Sequence, residues 1–480
     1  MAPATECAAL LSEAIPAKWV EKMLKEGKAS DPQTQRLREV VQRMGFSNAA
    51  LNAAIVKAHN ERYTVQTAQG MSTNQKQSGR CWIFAGLNMM RSTLIAEGKV
   101  PANFEFSENY LHFFNMLEKS NRYLEGVIKK TYSAGGKKTK LSGSDLRSAF
   151  EPSIGDGGWY EYFMFLVSKY GVVPKDAMPE TKSSESTATM LAELKRHLAE
   201  SARGLLLEAQ AVAKEGAPLT EAQYLDRVRV AKERALGGIW NILATHLGDP
   251  PGEFEYRSDG KNERKGNTFV TPTNVSSYTP QQFAWDFVKF DPRDYVVVAT
   301  SAAHEHGVFE QKKTAIGPAE ISQDEFDIRF MNVGIDRLEA LAIASIEGGH
   351  PLWFAADVGK DVDHATGIMH PDIYQRDPLY NTESLKLNRA LASFFGVTSP
   401  NHAMLLTGFD RPDPNGPVVK FKNENSWGDG VGTKGTYHLY REWFEQNVFQ
   451  IIVHKKFLTA SELKAWAGEA EQLGENAQLF

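Results

Sequence analysis

The feature that most constrains this chain is a change of character at Cys81. The stretch "STNQKQSGR", Ser72 to Arg80, is polar and contains Gly79, so it reads as loop. The stretch "WIFAGLNMMRSTLIAEGK" follows; it is apolar, rich in good helix formers, and ends near Gly98. The switch places Cys81 at or near the first turn of a helix. Unpaired backbone N–H groups and the helix dipole favour a thiolate there, which predicts a lowered thiol pKa. Arg80 adds positive charge beside it. A free cysteine is most often a small buried hydrophobe. A chain with only two cysteines in 480 residues puts one of them where a reactive thiol belongs.

Composition narrows the class without naming it. With 42% hydrophobic and 24% charged residues, the chain is of ordinary globular type, long enough for about three domains. A net charge of -5 gives no general pull toward nucleic acid or an anionic membrane surface. No apolar run approaches the roughly 18 residues of a membrane span. The opening "MAPATECAALLSEAIPAKWVEKMLKEGK" lacks the basic, apolar and small-residue order of an export signal and reads as helical. Two cysteines cannot form a disulfide framework. These features together predict a cytoplasmic protein.

The residues around Cys81 resemble the active-site segment of papain-like cysteine peptidases, whose local signature is C-G-[SA]-C-[WY]. Ser78, Gly79, Arg80, Cys81 and Trp82 occupy it here. Ser78 stands where secreted members carry a disulfide-forming cysteine, which fits a reducing compartment. The resemblance implies that the Gln75 side chain and the Cys81 backbone N–H form an oxyanion hole, fixed donors for the charge of a tetrahedral intermediate. A thiol nucleophile needs an imidazole, and the imidazole needs an orienting group. The segment "TSPNHAMLLTGFD" supplies His402 at the head of a predicted strand, and "PVVKFKNENSWGDG" supplies Asn425. Asn423 lies two residues earlier, on the same face of an extended strand, so spacing leaves both open. The N-S-W-G match favours Asn425 and implies that Trp427 shields its bond to His402. In "DGGWY", Gly157 and Gly158 read as a turn. The resemblance implies that they present backbone to a peptide substrate, an approach that lacking Cβ allows.

His402 follows Cys81 by about 320 residues, whereas papain places its His and Asn about 130–150 residues downstream. The intervening "FSENYLHFFNMLEKSNRYLE", "DGGWYEYFMFLVSKYGVVPKDAMPET" and "SIEGGHPLWFAADVGKDVDHATGIM" are similar to the bleomycin hydrolase and bacterial aminopeptidase C family. That resemblance implies an α+β fold: a helical lobe carrying Cys81 and a β-rich lobe carrying His402 and Asn425, with large helical insertions. The expected divisions are a helical arm over 1–65, the helical lobe over 66–185, a mainly helical insertion over 186–330, the β-rich lobe over 331–456 and a tail over 457–480. The resemblance also implies a homohexamer with active sites on an internal chamber.

Other features carry less. His304 and His306, and the group Asp357, Asp361, Asp363 and His364, lack the spacing of a full metal-ligand set, and no metal or other cofactor is expected. The lysines of "GGKKTK" read as a solvated loop tip, and no phosphate-cradling G-x-x-x-x-G-K-[ST] motif occurs. Three classes compete: a cysteine peptidase, an amidase or acyltransferase using the same nucleophile, and an idle scaffold. The Gln, Cys, His and Asn set argues against the scaffold. In the aminopeptidase branch the C-terminal arm lies in the cleft and its carboxylate meets the substrate's amino group. Here the tail "FLTASELKAWAGEAEQLGENAQLF" has no proline and ends in Phe480. It is expected to reach the cleft with altered contacts or to form a helical surface tail, and endopeptidase or oligopeptidase activity stays open beside aminopeptidase activity.

Overall fold

A computed structural model describes residues 14–28, 32–131, 150–214, 220–259, 263–265, 268–271, 273–301, 313–316, 328–380, 387–469 and 471–472. The chain forms two compact units, one made of the residues up to Asn60 with His370–Leu387, the other of Glu61–Met369 with Asn388–Phe480.

The smaller unit is helical, with helices Ala17–Lys28, Pro32–Met44, Phe46–Ala50, Ala53–Ala58 and Arg376–Tyr380. Phe46 packs on Tyr374 at 5.4 Å and stacks on Tyr380 at 6.2 Å. Asn52 caps its own helix and donates through Nδ2 to the Asp372 carbonyl at 3.1 Å. The N-terminal arm expected over 1–65 is therefore completed by a segment more than 300 residues later, joined by aromatic packing that no local pattern announces.

The larger unit is built on one sheet of twelve strands: β1 Val65–Gln66, β2 Tyr295–Ala299, β3 Lys313–Ile316, β4 Ile328–Asn332, β5 Leu352–Ala356, β6 Val362–Asp363, β7 Ile368–Met369, β8 His402–Asp410, β9 Lys420–Glu424, β10 Thr436–Tyr440, β11 Val448–His454 and β12 Glu471–Gln472. Their spatial order is β6-β7-β10-β9-β8-β5-β11-β2-β4-β3-β12, with β1 paired to β8. Side chains alternate across a strand, and both faces here are buried. Val297 and Ala299, Trp353 and Ala355, and Ala403 and Leu405 face one core; Val296 and Val298, Leu352 and Phe354, and Met404 and Leu406 face the other. That explains why "YVVVA" reads as a continuous apolar run instead of an alternating one.

The first core is shared with helices α1 Cys81–Ala96, α2 Glu108–Thr131, α3 Tyr160–Tyr170, α4 Ala188–Lys214 and α5 Glu221–Leu247. The second core lies under α6 Ile335–Glu347. The fold is α+β and papain-like, as expected. The division expected at residue 330 differs from what forms, because β2 begins at Tyr295 and pairs with β11 from the β-rich side. Among the described residues, the stretch 186–330 is helical through α5, then supplies two hairpins, Phe254–Asp259 with Thr273–Tyr278 and Glu263–Lys265 with Thr268–Val270, short helical turns between Pro280 and Asp294, and β2, β3 and β4. The β2 run is strongly β-forming, but only pairing with β11 decides that it joins the large sheet. No helix among the described residues is long and apolar enough to cross a membrane.

The described part of the tail forms a helix, Ala460–Ala467, started by a Thr459 capping box with Glu462. Glu462 also receives a bidentate bond from Arg337 at 2.7 and 2.9 Å. Phe480 lies outside the described residues, as do Cys7, the "GGKKTK" loop, His304 and His306.

Candidate active site

Cys81 is the first residue of α1, and every residue from Trp82 to Ser92 is buried. A helix buried along its length belongs inside a core, so the position of Cys81 is fixed by the packing of everything behind it. Trp82 pins the helix start. Its Nε1 donates to the Asp156 carbonyl at 2.9 Å, and its own carbonyl accepts from Trp353 Nε1 at 3.1 Å. β8 carries His402 to the same place, where the backbone of Ala403 favours the Cys81 thiolate.

His402 Nε2 lies 2.8 Å from Asn425 Oδ1. An amide oxygen only accepts, so Nε2 carries the proton in the neutral ring and Nδ1 is the basic nitrogen. Asn425 Oδ1 also accepts from the Ser426 backbone N–H at 2.8 Å. Trp427 stacks on His402, with centroids 4.7 Å apart and planes 25° off parallel. Asn423 is brought elsewhere: buried in β9, it donates Nδ2 to Met404 Sδ at 2.9 Å. The strand face it shares with Asn425 in a regular register is lost because β9 ends at Glu424.

Gln75 is buried and held at both ends of its amide. Oε1 accepts from Ser426 Oγ at 2.6 Å and Nε2 donates to the Ser78 carbonyl at 2.6 Å. One Nε2 proton remains for another acceptor. Its loop is stitched to the Asn425 segment: Gln75 N–H donates to the Ser426 carbonyl and Gly428 N–H to the Thr73 carbonyl, both at 2.9 Å. Gly428 has φ +79°, and a Cβ there would lie 2.5 Å from Asn74 Nδ2, so glycine is required.

Gly157 and Gly158 have different roles. A Cβ on Gly158 would lie 2.6 Å from the Trp82 ring, so the missing side chain makes room for the indole. Gly157 is exposed with open space beside it. Buried Lys119 of α2 holds the loop from below, donating Nζ to the carbonyls of Gly155 at 2.8 Å and Gly157 at 2.5 Å. Asp156 Oδ2 accepts from the Gly79 backbone N–H at 2.8 Å and from Thr187 Oγ1 at 2.6 Å. Sequence reasoning missed Lys119, Asp156 and Thr187. Their partners are mostly backbone groups far along the chain, and the one signal was that Asp156 precedes the Gly pair.

The electrostatics correct one expectation. Arg80 does not lend its charge to the thiol; it is fully buried and forms a bidentate pair with Glu180 at 3.1 and 2.8 Å. Burial, helped by the nearby Asp156 carboxylate, pushes the Cys81 thiol up to about 11, against the backbone N–H groups that favour its thiolate. Burial holds His402 down at about 4, with the Asn425 bond opposing that fall. Both shifts favour a neutral thiol and a neutral imidazole over a thiolate beside an imidazolium. No group of three or more His, Cys, Asp or Glu among the described residues could hold a metal ion. The Asp357 carboxylate is taken by Thr398 and Asn401, and Asp363 accepts from Thr366.

A family model described as the Peptidase C1-like family matches residues 15–475. Aminopeptidase G of Lactobacillus delbrueckii subsp. lactis is 32% identical over 438 residues, covering 90% of this chain and 92% of that protein. Aminopeptidase E of Lactobacillus helveticus is 30% identical over 92% of this chain and 94% of that protein. The crystal structure of PepW from a Lactobacillus rhamnosis strain superposes with a TM-score of 0.80 at 30% identity, covering 95% of each chain.

Proposed function

Because the chain belongs to the Peptidase C1-like family, we propose that it is a cysteine aminopeptidase, releasing N-terminal residues from peptides through an acyl-enzyme on Cys81. The observation that carries the reading is the 2.8 Å bond from His402 Nε2 to Asn425 Oδ1, made by a histidine whose neighbour Ala403 favours the Cys81 thiolate through its backbone. The names of the similar proteins support the amino-terminal preference.

In this mechanism His402 Nδ1 takes the thiol proton as Cys81 Sγ attacks the substrate carbonyl carbon. Forming the S–C bond pushes the π electrons onto oxygen, where the free Gln75 Nε2 proton and the Cys81 N–H stabilise the charge. Collapse breaks the C–N bond, and His402 returns the proton to the leaving amine. Water, deprotonated by His402, then cleaves the thioester and regenerates the thiol. Asn425 holds the imidazole, and Trp427 covers one face of its ring. Gly157 offers open backbone for pairing with the peptide.

Peptides are the substrates of this reading, and no cofactor enters it. A homohexamer and a cytoplasmic site of action belong to the same proposal, supported by the family resemblance and by the scarcity of cysteine. The test is hydrolysis of matched peptides with free and acetylated N-termini by the wild type, Cys81→Ala and Gln75→Ala. Free-amino substrates should be preferred, Cys81→Ala should be inactive, and Gln75→Ala should lose roughly 10²–10³ in kcat. A preference for acetylated peptides would shift the reading to endopeptidase; cleavage only of small amides would shift it to amidase.

A further inference from the structure

Asp156 is placed unlike a purely structural carboxylate. Oδ2 takes both of its side-chain hydrogen bonds, from the Gly79 N–H and the Thr187 hydroxyl. Neither of these bonds falls on Oδ1, and the residue is only half-buried. Oδ1 lies alongside Gly79, two residues before the nucleophile, where a Cβ on Gly79 would come within 2.7 Å of it. The next residue, Gly157, is exposed and opens on empty space. The carboxylate's field reaches the reacting sulfur, since it is one of the influences that raise the Cys81 thiol. Burial raises the carboxyl, but the Thr187 and Gly79 bonds, with His112, outweigh it and hold the group below the usual carboxylate range. A fixed anion whose Oδ1 lies outside both of these bonds, beside the glycine edge of the site, is placed to receive a cation.

We propose that Asp156 is a specificity-determining residue whose Oδ1 accepts a positively charged nitrogen on the substrate's first residue, either its α-ammonium or a basic side chain. This rests on the aminopeptidase reading. The absence of side chains at Gly79 and Gly157 leaves the approach open, and Lys119 stays beneath the loop, bonded to the carbonyls of Gly155 and Gly157. The Thr187 and Gly79 bonds hold Oδ2 so that Oδ1 keeps a fixed direction.

Two substrate pairs separate the sources of charge. Arginyl against citrullyl peptides change only the side-chain charge. Leucyl peptides against their α-hydroxy analogues change only the terminal ammonium. In the wild type at least one pair should show kcat/KM favouring the charged member by on the order of tenfold or more, as for a charge-assisted hydrogen bond. Asp156→Asn should collapse that ratio toward one, while Asp156→Glu, which keeps the charge, and Thr187→Val, which keeps the carboxylate, should preserve most of it. A wild type indifferent to both pairs overturns the assignment, whether or not any variant folds. So does an Asp156→Asn enzyme that slows both members of the pair alike, the behaviour of a merely structural residue. Flat ratios with hydrolysis still dependent on Cys81 sink the Asp156 assignment alone; hydrolysis that survives Cys81→Ala sinks the aminopeptidase reading and this inference with it.

Discussion

At the scale of single residues, the two asparagines show what a motif match can add to spacing. Asn425 meets His402 and Asn423 meets Met404, so their substitutions should separate cleanly. Asn425→Ala should lower kcat by roughly 10- to 100-fold, short of the 10²–10⁴ lost with a general base itself. Asn423→Ala should cost about 1–2 kcal/mol of stability and leave kcat within about threefold of wild type. Steady-state kinetics with thermal melts on both variants check this, and the reverse ranking would exchange their roles. The pH profile follows from the neutral pair. Protonating His402 removes the base, so kcat/KM should fall as pH drops through about 4. The thiol, at about 11, contributes no loss until far into alkali. Between these limits the pair holds one proton as a unit. Any alkaline decline near pH 8 should come from the substrate's own α-amino group and be missing with acetylated or α-hydroxy substrates. The helix start at Cys81 was readable because polarity changes there abruptly. The thiol's electrostatics were not, because Arg80 pairs with Glu180, a hundred residues away, and sequence does not display that partner.

At the scale of elements, α1 and β9 meet through a buried ion pair. Arg91 Nη2 lies 2.6 Å from Glu424 Oε1, both side chains 2% exposed. Glu424 immediately precedes Asn425, so this contact links the helix that begins at Cys81 to the strand that leads into Asn425. Burial pushes Glu424 up to about 7, with Arg91 and Lys422 opposing the rise. A carboxyl whose pKa is higher folded than unfolded makes the native state bind more protons. Its contribution to stability therefore declines as pH rises from about 4.5 to about 7. Glu424→Gln abolishes that titration. Relative to wild type, the variant should gain on the order of 3 kcal/mol between pH 4.5 and 8, measured by denaturant unfolding across that range. A constant difference between the two proteins would show that Glu424 does not titrate there. The periodicity of β8 and β9 was legible; their cross-lobe partner was not, since one arginine among many gives no hint of which acid it will meet inside.

At the scale of the whole molecule, the papain-like plan could be read from two short segments at opposite ends of the chain, because each carries several constrained residues. The extent of the sheet could not, because β2 pairs with β11, far along the chain, and brings β4 and β3 with it. A tail that reaches the cleft would govern end-specificity. Removing residues 473–480 leaves the Glu462–Arg337 anchor and β12 in place. We predict that the shortened enzyme loses preference for free-amino over acetylated peptides, read as a fall in the ratio of their kcat/KM values; an unchanged ratio would exclude the tail as gatekeeper. The position of β11 has a different consequence, for how the protein is made. It lies between β5 and β2, pairing Ile451 with Phe354 on one side and Val298 on the other, so the sheet stays in two pieces until nearly the whole chain has left the ribosome. Contacts that distant in sequence form slowly and leave apolar strand edges open meanwhile. A chain stopped after Tyr440 should thus be protease-sensitive and aggregation-prone throughout its sheet, and adding residues up to His454 should confer protection on β2 and β5 together in a pulse-proteolysis experiment.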